Sequence, residues 1–434
     1  MPKEEKIKVE LMGTGMKKVG VGIIGFGTIG TGLIKIIQQE KQVELKYIAD
    51  LDITTPRSVK IDKALLTTDV NRVLNDPSVD IIVELIGGVQ PAKKFILTAL
   101  KNKKHVVTAN KALLATHGDE IFQTAKDNNV YINFEASVGG GIPIIKALRD
   151  SFRSSDITSV LGIVNGTSNF ILSRMSLEKQ TFSSALKEAQ GFGYAEANAS
   201  LDIDGIDSAH KIAILSSIIY RTRVDMEHIY VEGIKCITLE DIQYAEELGY
   251  VIKPLAIANM DRNRLDVRVH PALIPKGHLL SSVSDVYNAI YLRGDSIGEM
   301  MFYGLGAGQM PTANAVYSDV IDIAAKTKIE SKVTDNYSFN KRLSMKEITE
   351  NKLRCYIRFS AVDKPGVLAK ISGILGKCNI SIASVIQKAR KQRGAVPIIM
   401  MTHEAEEKDI CLAIREIDRL DIIKRKSVII RVED

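Results

Sequence analysis

The sequence predicts a multidomain protein that combines the α/β and α+β fold classes. With 434 residues, the chain is long enough for about two to four domains of typical size. From Lys17 to about Val160, short β-rich apolar runs alternate with helical stretches, which is typical of a parallel sheet with crossover helices. From about Leu353 to Asp434 the order is instead strand, helix, strand, strand, helix, strand.

The composition narrows the class of protein. Apolar residues make up 45% of the chain and charged residues 25%, which is ordinary for a globular protein. The net charge of +6 forms no concentrated basic patch, so no nucleic-acid partner is expected. No apolar run reaches the roughly 20 residues of a membrane helix, and the first ten residues contain no signal core. We therefore expect no membrane partner and a cytoplasmic location.

The four cysteines agree with that location. They show neither metal-type spacing nor a dense disulfide framework, as expected of free thiols in a reducing compartment. They are Cys236, Cys355, Cys378 and Cys411.

A glycine-rich turn follows the first apolar run, VGVGII, and precedes the helical stretch TGLIKIIQQ. The turn consists of Gly25, Phe26, Gly27, Thr28, Ile29 and Gly30. Gly25 permits a tight turn, Gly27 lets the backbone approach a pyrophosphate, and Gly30 allows close packing of helix and strand. A glycine-rich turn without a ligand is the alternative. The strand and helix around the turn favour a Rossmann-type dinucleotide-binding domain over residues 17–155.

Asp50 lies at the end of the second predicted strand, about 20 residues after Gly30. A carboxylate at this position binds the adenosine ribose hydroxyls and repels a 2′-phosphate. NAD is therefore expected as the cofactor, with NADP as the alternative. Asp50 also has a structural interpretation, as an aspartate that caps the turn before Asp52.

The stretch of residues 191–215 carries the strongest chemical signal in the chain. Asp207 and Lys211 are four residues apart, so they share one face of a predicted helix. The helix is apolar on nearly every face, which indicates that Lys211 is buried and needs a partner. A positioned ammonium group can protonate the alkoxide that forms as hydride reaches an aldehyde carbon. Nearby carboxylates suited to a substrate ammonium belong to Glu196, Asp202 and Asp204. A structural ion-pair network is the alternative.

The C-terminal part is separated from the rest by a polar stretch. Residues 334–352 lack apolar periodicity and predict a linker. Residues 353–434 then predict a small βαββαβ domain.

Four motifs resemble the homoserine dehydrogenase family and occur in the family's order over roughly residues 17–327. They are VTANKALLA, NFEASVGGGIPII, the stretch 191–215 and GLGAGQMPTANAV. The resemblance implies interconversion of aspartate β-semialdehyde and homoserine with a nicotinamide cofactor, in the biosynthesis of threonine, methionine and isoleucine. It also implies a mixed α/β domain at 156–330 for substrate binding, catalysis and dimerisation, with 306–330 completing the first domain. A homodimer or homotetramer is expected.

The resemblance also assigns roles to individual residues. It makes Lys211 the proton donor and places Lys111, a second catalytic residue, between cofactor and substrate. Taken alone, Lys111 is better interpreted as a solvated lysine after a strand. The substrate-binding residues would be Glu196, Asp207 and Asp202. The nicotinamide would lie against Gly193, Gly306 and Gly308.

The turn EASVGGGI is similar to the family's monovalent cation loop. By that resemblance, sodium or potassium is held by the backbone carbonyls of Glu135, Val138, Gly140 and Ile142. The alternative is a glycine-rich turn into the following helix.

The chain departs from the family pattern at two places. Many relatives have the sequence ADP where this chain has residues 197–199, a change expected to affect affinity rather than chemistry. Many bacterial relatives have an arginine where this chain has Ala49. Without that cation a 2′-phosphate loses a partner, which again favours NAD.

Residues 353–434 resemble an ACT domain, which implies an amino-acid effector, and threonine is the effector expected. Asp363 and Gly366 form the first turn from strand to helix, where free N–H groups can receive a carboxylate. Asn379, after the helix, is a further candidate contact, although a plain turn residue is equally consistent. A domain used only for dimerisation is the alternative.

Two other functions compete with this interpretation. An aspartate-semialdehyde dehydrogenase needs a cysteine nucleophile, yet no cysteine precedes Cys236 and the other three lie in the terminal domain. The second rival is a non-catalytic regulator that senses NAD and an amino acid.

Overall fold

The structure is a computed structural model that describes residues 18–152, 155–329, 333, 337, 339, 341–388 and 395–434. Lys17 and Thr334, where the first domain and the linker were predicted to begin, lie outside these residues. Within the described part, no helix is long and apolar enough to cross a membrane.

The N-terminal part is a six-stranded parallel sheet, which confirms the predicted class of its fold. The strands are β1 (Gly20–Ile24), β2 (Glu44–Ala49), β3 (Leu66–Thr67), β4 (Ile81–Glu84), β5 (His105–Thr108) and β6 (Ile132–Asn133). Their order is β3-β2-β1-β4-β5-β6, so the chain reverses direction across the sheet between β1 and β4. In open α/β sheets, ligands bind at the carboxyl ends of the strands beside such a reversal.

Helices cover both faces of this sheet. They are α1 (Thr28–Glu40), α2 (Val70–Asn75), α3 (Ala92–Lys101), α4 (Lys111–Asp127) and α5 (Ile144–Asp150). A late helix, α11 (Gln309–Ile329), also packs here, against α1. The two helices approach closely at Gly32, where an added Cβ would lie 3.0 Å from the Cβ of Ala313. The helical layer on the α1 face of this sheet is thus completed by residues that are far away in sequence.

The second part is an antiparallel sheet with helices on its inner face. Its main strands are β7 (Ile157–Ile163), β9 (Tyr250–Asp261), β10 (Arg264–Pro275), β11 (Tyr287–Gly294) and β12 (Gly298–Leu305), in the order β12-β11-β7-β9-β10, with β8 (Tyr230–Val231) pairing with β10. The helices are α6 (Gly166–Leu177), α7 (Phe182–Gly191), α8 (Ser200–Ile203), α9 (Ile206–Tyr220) and α10 (Leu239–Glu247). Helix α9 is buried on nearly all sides between α4 and this sheet, because it is apolar nearly all round.

The C-terminal part has the predicted βαββαβ order, with one extra short strand. Its elements are β15 (Cys355–Val362), α12 (Val367–Lys377), β16 (Ile382–Ile386), β17 (Ala395–Thr402), β18 (Ala405–Glu406), α13 (Glu407–Ile417) and β19 (Ile423–Val432). Strand β19 pairs in parallel with β10, placing Ala272 opposite Arg431 and Leu273 opposite Val432. The sheet of the second part therefore continues directly into the C-terminal part.

The described residues of the polar connecting stretch contact both the second part and the C-terminal part. Its short strands are β13 (Ser344–Met345), which pairs with β10, and β14 (Lys352–Leu353), which pairs with β18. The amide N–H of Lys341 donates to the carbonyl of Arg221 at 3.0 Å, just after α9 ends. The hydroxyl of Thr222 donates to the Lys341 carbonyl at 2.8 Å. From Lys341 onward, hydrogen bonds and strand pairing thus hold the connecting stretch against the neighbouring elements.

Candidate functional site

The glycine-rich turn has the geometry that a dinucleotide requires. Gly25 has φ +112°, and an added Cβ would lie 2.8 Å from the backbone of Leu85. At Gly30 an added Cβ would lie 2.3 Å from the carbonyl oxygen of Gly25, so the helix packs this closely on the turn because residue 30 has no side chain. The space around the Cβ position of Gly27 is open at the start of α1. The turn fits a pyrophosphate at the helix N-terminus.

Asp50 and Arg57 lie beside this turn. The Asp50 carboxylate accepts the N–H of Phe26 in the turn at 2.5 Å and the N–H of Asp52 in its own loop at 2.9 Å, so it links the turn to the end of β2. The guanidinium of Arg57 donates to the Phe26 carbonyl at 3.0 Å and lies 5.2 Å from the centre of its ring. Arg57 was not predicted from the sequence, because its loop has no periodic pattern. It brings a cation to the end of β2 where Ala49 supplies none.

A cleft of about 610 Å³ lies between the carboxyl end of the parallel sheet and helices α6, α8 and α9. It gathers residues from five separate sequence motifs. The predicted residues that line it are Ile29, Lys111, Gly140, Gly193, Asp202, Asp207, Lys211, Gly306 and Gly308. Lining residues that the sequence analysis missed include Asn165, Thr167, Tyr194 and Asn288.

Asp207 joins both predicted catalytic lysines at the floor of the cleft. Its Oδ2 atom lies 2.6 Å from Nζ of Lys211, and its Oδ1 atom lies 2.9 Å from Nζ of Lys111. Nζ of Lys211 also donates to the carbonyl of Val164 at 2.6 Å. Lys111 is the first residue of α4, and its ammonium group faces Asp207 rather than solvent alone.

The two lysines differ in their tendency to lose a proton. Burial lowers the pKa of Lys211 despite the attraction of Asp207. Burial also opposes the charge of Lys111, but Asp207 outweighs it and raises the pKa of that ammonium group. Although burial disfavours the Asp207 carboxylate, the two lysines hold its pKa well below the usual range. Lys211 is therefore the better placed of the two to exchange a proton.

Asn165 links Asp207 to a second carboxylate. Its amide Nδ2 donates to Asp207 Oδ2 at 2.9 Å and to Asp202 Oδ1 at 2.7 Å. Asn165 also caps α6, because its Oδ1 accepts the N–H of Ser168 at 2.8 Å. An Asn directly before the first helical residues is a capping signal, but nothing in that signal points to the cleft.

Glu196 and Asp204 do not join this cluster. The side chain of Glu196 is exposed and lies outside the cleft lining. Asp204 pairs with Lys235 at 2.6 Å on the surface. The assignment of Glu196 to substrate binding stays a prediction.

The turn predicted to hold a monovalent cation runs from β6 to α5. Its four carbonyl-bearing residues are buried, and carbonyl oxygens are the hard donors that such ions prefer. The Glu135 and Ile142 carbonyls accept backbone N–H groups at 3.4 and 2.8 Å, which leaves each a second lone pair. The Glu135 carboxylate is occupied by the N–H groups of Ile145 and Lys146. The donor set fits a cation through its backbone.

The predicted effector residues lie at opposite ends of one helix. Gly366, with φ +85°, caps the start of α12, and Asp363 lies just before it. Asn379, with φ +57°, follows its end. Because α12 has 11 residues, the two ends are about 16 Å apart. One small amino acid therefore cannot touch both ends within a single domain.

None of the four cysteines lines the cleft. Cys236 is exposed elsewhere, and the other three lie in the C-terminal part. The cleft thus offers no thiol nucleophile for thioester chemistry.

Three family models match consecutive parts of the chain. Residues 25–135 match "Homoserine dehydrogenase, NAD binding domain", residues 143–321 match "Homoserine dehydrogenase", and residues 356–421 match "ACT domain". Together they span the three parts of the fold described above.

Similar proteins cover nearly the whole chain. A homoserine dehydrogenase of Synechocystis is 42% identical over 95% of this chain and 99% of its own. A homoserine dehydrogenase structure from Thiobacillus denitrificans, 40% identical, has a TM-score of 0.89 and covers 97% of this chain and 99% of its own. A hyperthermophilic archaeal homoserine dehydrogenase in complex with NADPH is 27% identical, with a TM-score of 0.61, and covers 71% of this chain and 98% of its own.

Proposed function

The chain belongs to the homoserine dehydrogenase family, and from that premise we propose that it transfers hydride reversibly between a nicotinamide dinucleotide and L-aspartate 4-semialdehyde, giving L-homoserine. The observation that carries this proposal is the pair Lys211 and Asp207 in a cleft shared with the glycine-rich turn. The reaction would supply homoserine for the biosynthesis of threonine, methionine and isoleucine.

The dinucleotide supplies or accepts the hydride when it is bound. The chain's own residues manage the proton. In the reducing direction, the Lys211 ammonium donates its proton to the carbonyl oxygen as the aldehyde carbon receives hydride. In the oxidising direction, neutral Lys211 removes the hydroxyl proton. Asp207 holds both lysines in place, and the Lys111 ammonium adds positive charge where the alkoxide develops.

Asp202 is the carboxylate best placed to bind the substrate's ammonium group. It lines the cleft, and within the described residues it has no salt-bridge partner. A substrate ammonium would fill that place. Asp202 thus binds the substrate, whereas the neighbouring Asp207 positions the lysine that transfers the proton.

The cofactor is proposed to be NAD, with NADP as the alternative. The Asp50 carboxylate at the turn favours unmodified ribose hydroxyls. Arg57 supports the alternative, since its guanidinium lies near the same end of β2. The archaeal relative named above binds NADPH.

A monovalent cation is proposed in the turn from Glu135 to Ile142. Its backbone carbonyls would hold the ion and stiffen the loop that lines the cleft through Gly140. Gly140 also packs on Gly306, where an added Cβ would lie 2.4 Å from the carbonyl oxygen. The ion would therefore steady the nicotinamide side of the cleft.

A direct assay tests the catalytic proposal. Homoserine oxidation and aspartate-semialdehyde reduction would each be measured with NAD and with NADP cofactors. We expect turnover in both directions. Dinucleotide binding without turnover of either substrate would support the rival function, a sensor of NAD and an amino acid.

Feedback inhibition by threonine is proposed for the ACT domain. Because Gly366 and Asn379 mark opposite ends of α12, a complete effector site requires the α12 start of one subunit beside the α12 end of another. The proposal therefore includes an oligomer, a homodimer or homotetramer, with ACT domains paired in this way.

All four cysteines are free, which fits a cytoplasmic enzyme.

A short series of contacts supports coupling between this domain and the cleft. Arg431 of β19 pairs with Glu232 at 2.8 Å. Two residues later, the N–H of Ile234 donates to the carbonyl of Ile203 at 2.9 Å. Ile203 follows Asp202, the proposed ammonium ligand, in α8. An effector that binds more tightly to the conformation with β19 in one of two placements would favour that placement, and these contacts would carry the shift to Asp202.

The regulatory proposal is tested with Asn379→Gly. Glycine keeps the left-handed backbone and removes only the side chain. We expect threonine to inhibit the wild type non-competitively or sigmoidally, and the variant to keep its basal rate but lose this response. Inhibition that stays competitive with homoserine in both proteins would place threonine in the active site instead. If threonine inhibits neither protein, the domain serves assembly or another amino acid.

A further inference from the structure

Asn165 is nearly completely buried, with 4% of its surface exposed, and its orientation is fixed. Its Oδ1 atom accepts the Ser168 N–H, so its two amide hydrogens must face the carboxylates of Asp202 and Asp207. The opposite orientation would place the amide oxygen against two carboxylates and the NH₂ group against an N–H. The double donation is therefore the arrangement that satisfies every atom.

The two carboxylates make unequal contacts. Asp207 receives Lys111, Lys211 and Asn165. In the described part of the chain, the Asp202 carboxylate receives a single donor, the Asn165 amide. The orientation of Asp202 in the cleft thus depends on one neighbour.

A second feature of Asp202 is that its surroundings oppose its negative charge. Burial raises the pKa of Asp202, and the nearby charge of Asp207 raises it further, while the Asn165 hydrogen bond lowers it. The other charged groups that face it are Lys211 on α9 and Lys111 on α4, both already paired with Asp207. Removal of the amide would leave burial and the repulsion from Asp207 less opposed, so the pKa of Asp202 would rise.

We propose that Asn165 is a positioning residue that lets Asp202 and Asp207 function side by side, and that it acts on substrate affinity through Asp202. This inference rests on the proposed function, since Asp202 is taken to bind the substrate's ammonium group. Asn165 touches neither reacting atom. Its loss raises the KM for homoserine more than it lowers kcat.

The test uses Asn165→Ser in the full-length protein. Serine is also a good N-cap, so α6 keeps its cap, but a single hydroxyl cannot donate to two carboxylates. We expect the KM for homoserine to rise by about tenfold, as for loss of one hydrogen bond to a charged group. The KM for the dinucleotide and the Tm should change little. In the reducing direction, where Lys211 must be charged, the acid limb of kcat/KM for aspartate semialdehyde should move to higher pH, because Asp202 loses the hydrogen bond that lowers its pKa.

A double-mutant cycle with Asp202→Asn separates positioning from stability. If Asn165 acts through Asp202, the serine substitution will have little further effect on the homoserine KM in that background. An equal rise in both backgrounds would overturn the proposal, as would an unchanged KM or acid limb in a folded Asn165→Ser protein. A wild type that fails to turn over homoserine would instead reject the proposed function itself.

Discussion

Nζ of Lys211 lies 2.6 Å from Oδ2 of Asp207, one helical turn apart, in the buried first half of α9. The lysine is 8% exposed and the aspartate 7%, so the pair is screened from water. Such a pair holds a proton at a fixed place while the aspartate keeps its charge. The first two predictions depend on it.

Lys211→Ala should lower kcat by about 10²- to 10⁴-fold, the usual contribution of a general acid. Dinucleotide binding should persist, because the glycine-rich turn makes no contact through this side chain. Steady-state kinetics and dinucleotide titration measure the two effects. Lys187→Ala, on the exposed side of α7, is the matched control and should leave kcat unchanged. A near-normal kcat in the Lys211 variant would reject its role as proton donor.

The pH dependence should have opposite signs in the two directions. Reduction needs the Lys211 ammonium, whose pKa burial lowers from the usual 10.5, so the reduction rate should fall on an alkaline limb below that value. Oxidation needs neutral Lys211 and should rise over the same pH range. Profiles of kcat in both directions measure the shared pKa. Limbs that run in the same direction would contradict a single acid and base.

Cofactor preference should follow the charge near Asp50. We expect a higher kcat/KM with NAD than with NADP. Introducing an arginine at position 49 would be a poor test, because Ala49 is fully buried. Leu51→Arg is better suited, since Leu51 is 96% exposed and follows Asp50 directly. It should raise kcat/KM for NADP, and equal efficiencies in the wild type would show that Asp50 does not select against a 2′-phosphate.

Asp241→Asn should weaken the attachment of the ACT domain. The fully buried Asp241 carboxylate caps α10 and accepts the guanidinium of Arg358 at 2.6 and 3.0 Å. Breaking a buried pair leaves an unpaired charge, so the free energy of unfolding should fall by about 3–5 kcal/mol. Urea denaturation measures the change. Arg264→Ala, which breaks the exposed pair with Glu350, should cost less than about 1 kcal/mol.

Buried contacts of this kind also predict that deletion of the C-terminal part lowers the stability of the remaining chain. Arg268 of β10 is buried and pairs with Glu433 at 2.7 Å. Deletion after Lys341 would leave Arg268 and Asp241 without these partners and would expose the edge of β10. We expect the shortened chain to have a lower Tm. Loss of threonine inhibition could then result from lower stability, so the deletion alone does not locate the effector site.

The sequence by itself determined the local features of this protein. The glycines after VGVGII, the four-residue spacing of Asp207 and Lys211 and the βαββαβ order are patterns that backbone geometry and helical periodicity enforce. The same patterns placed the chain in its family. Each depends on residues that are near one another along the chain.

The tertiary structure decided which distant residues meet. Lys111 reaches Asp207 and Asn165 joins two carboxylates only because separate elements end at one cleft. Arg57 reaches the Phe26 carbonyl only because its loop folds back onto the glycine-rich turn. The pairing of β10 with β19 likewise brings together strands about 160 residues apart, as in the contact between Arg268 and Glu433. Side-chain and strand pairing depend on packing in space, for which a single sequence carries no local pattern.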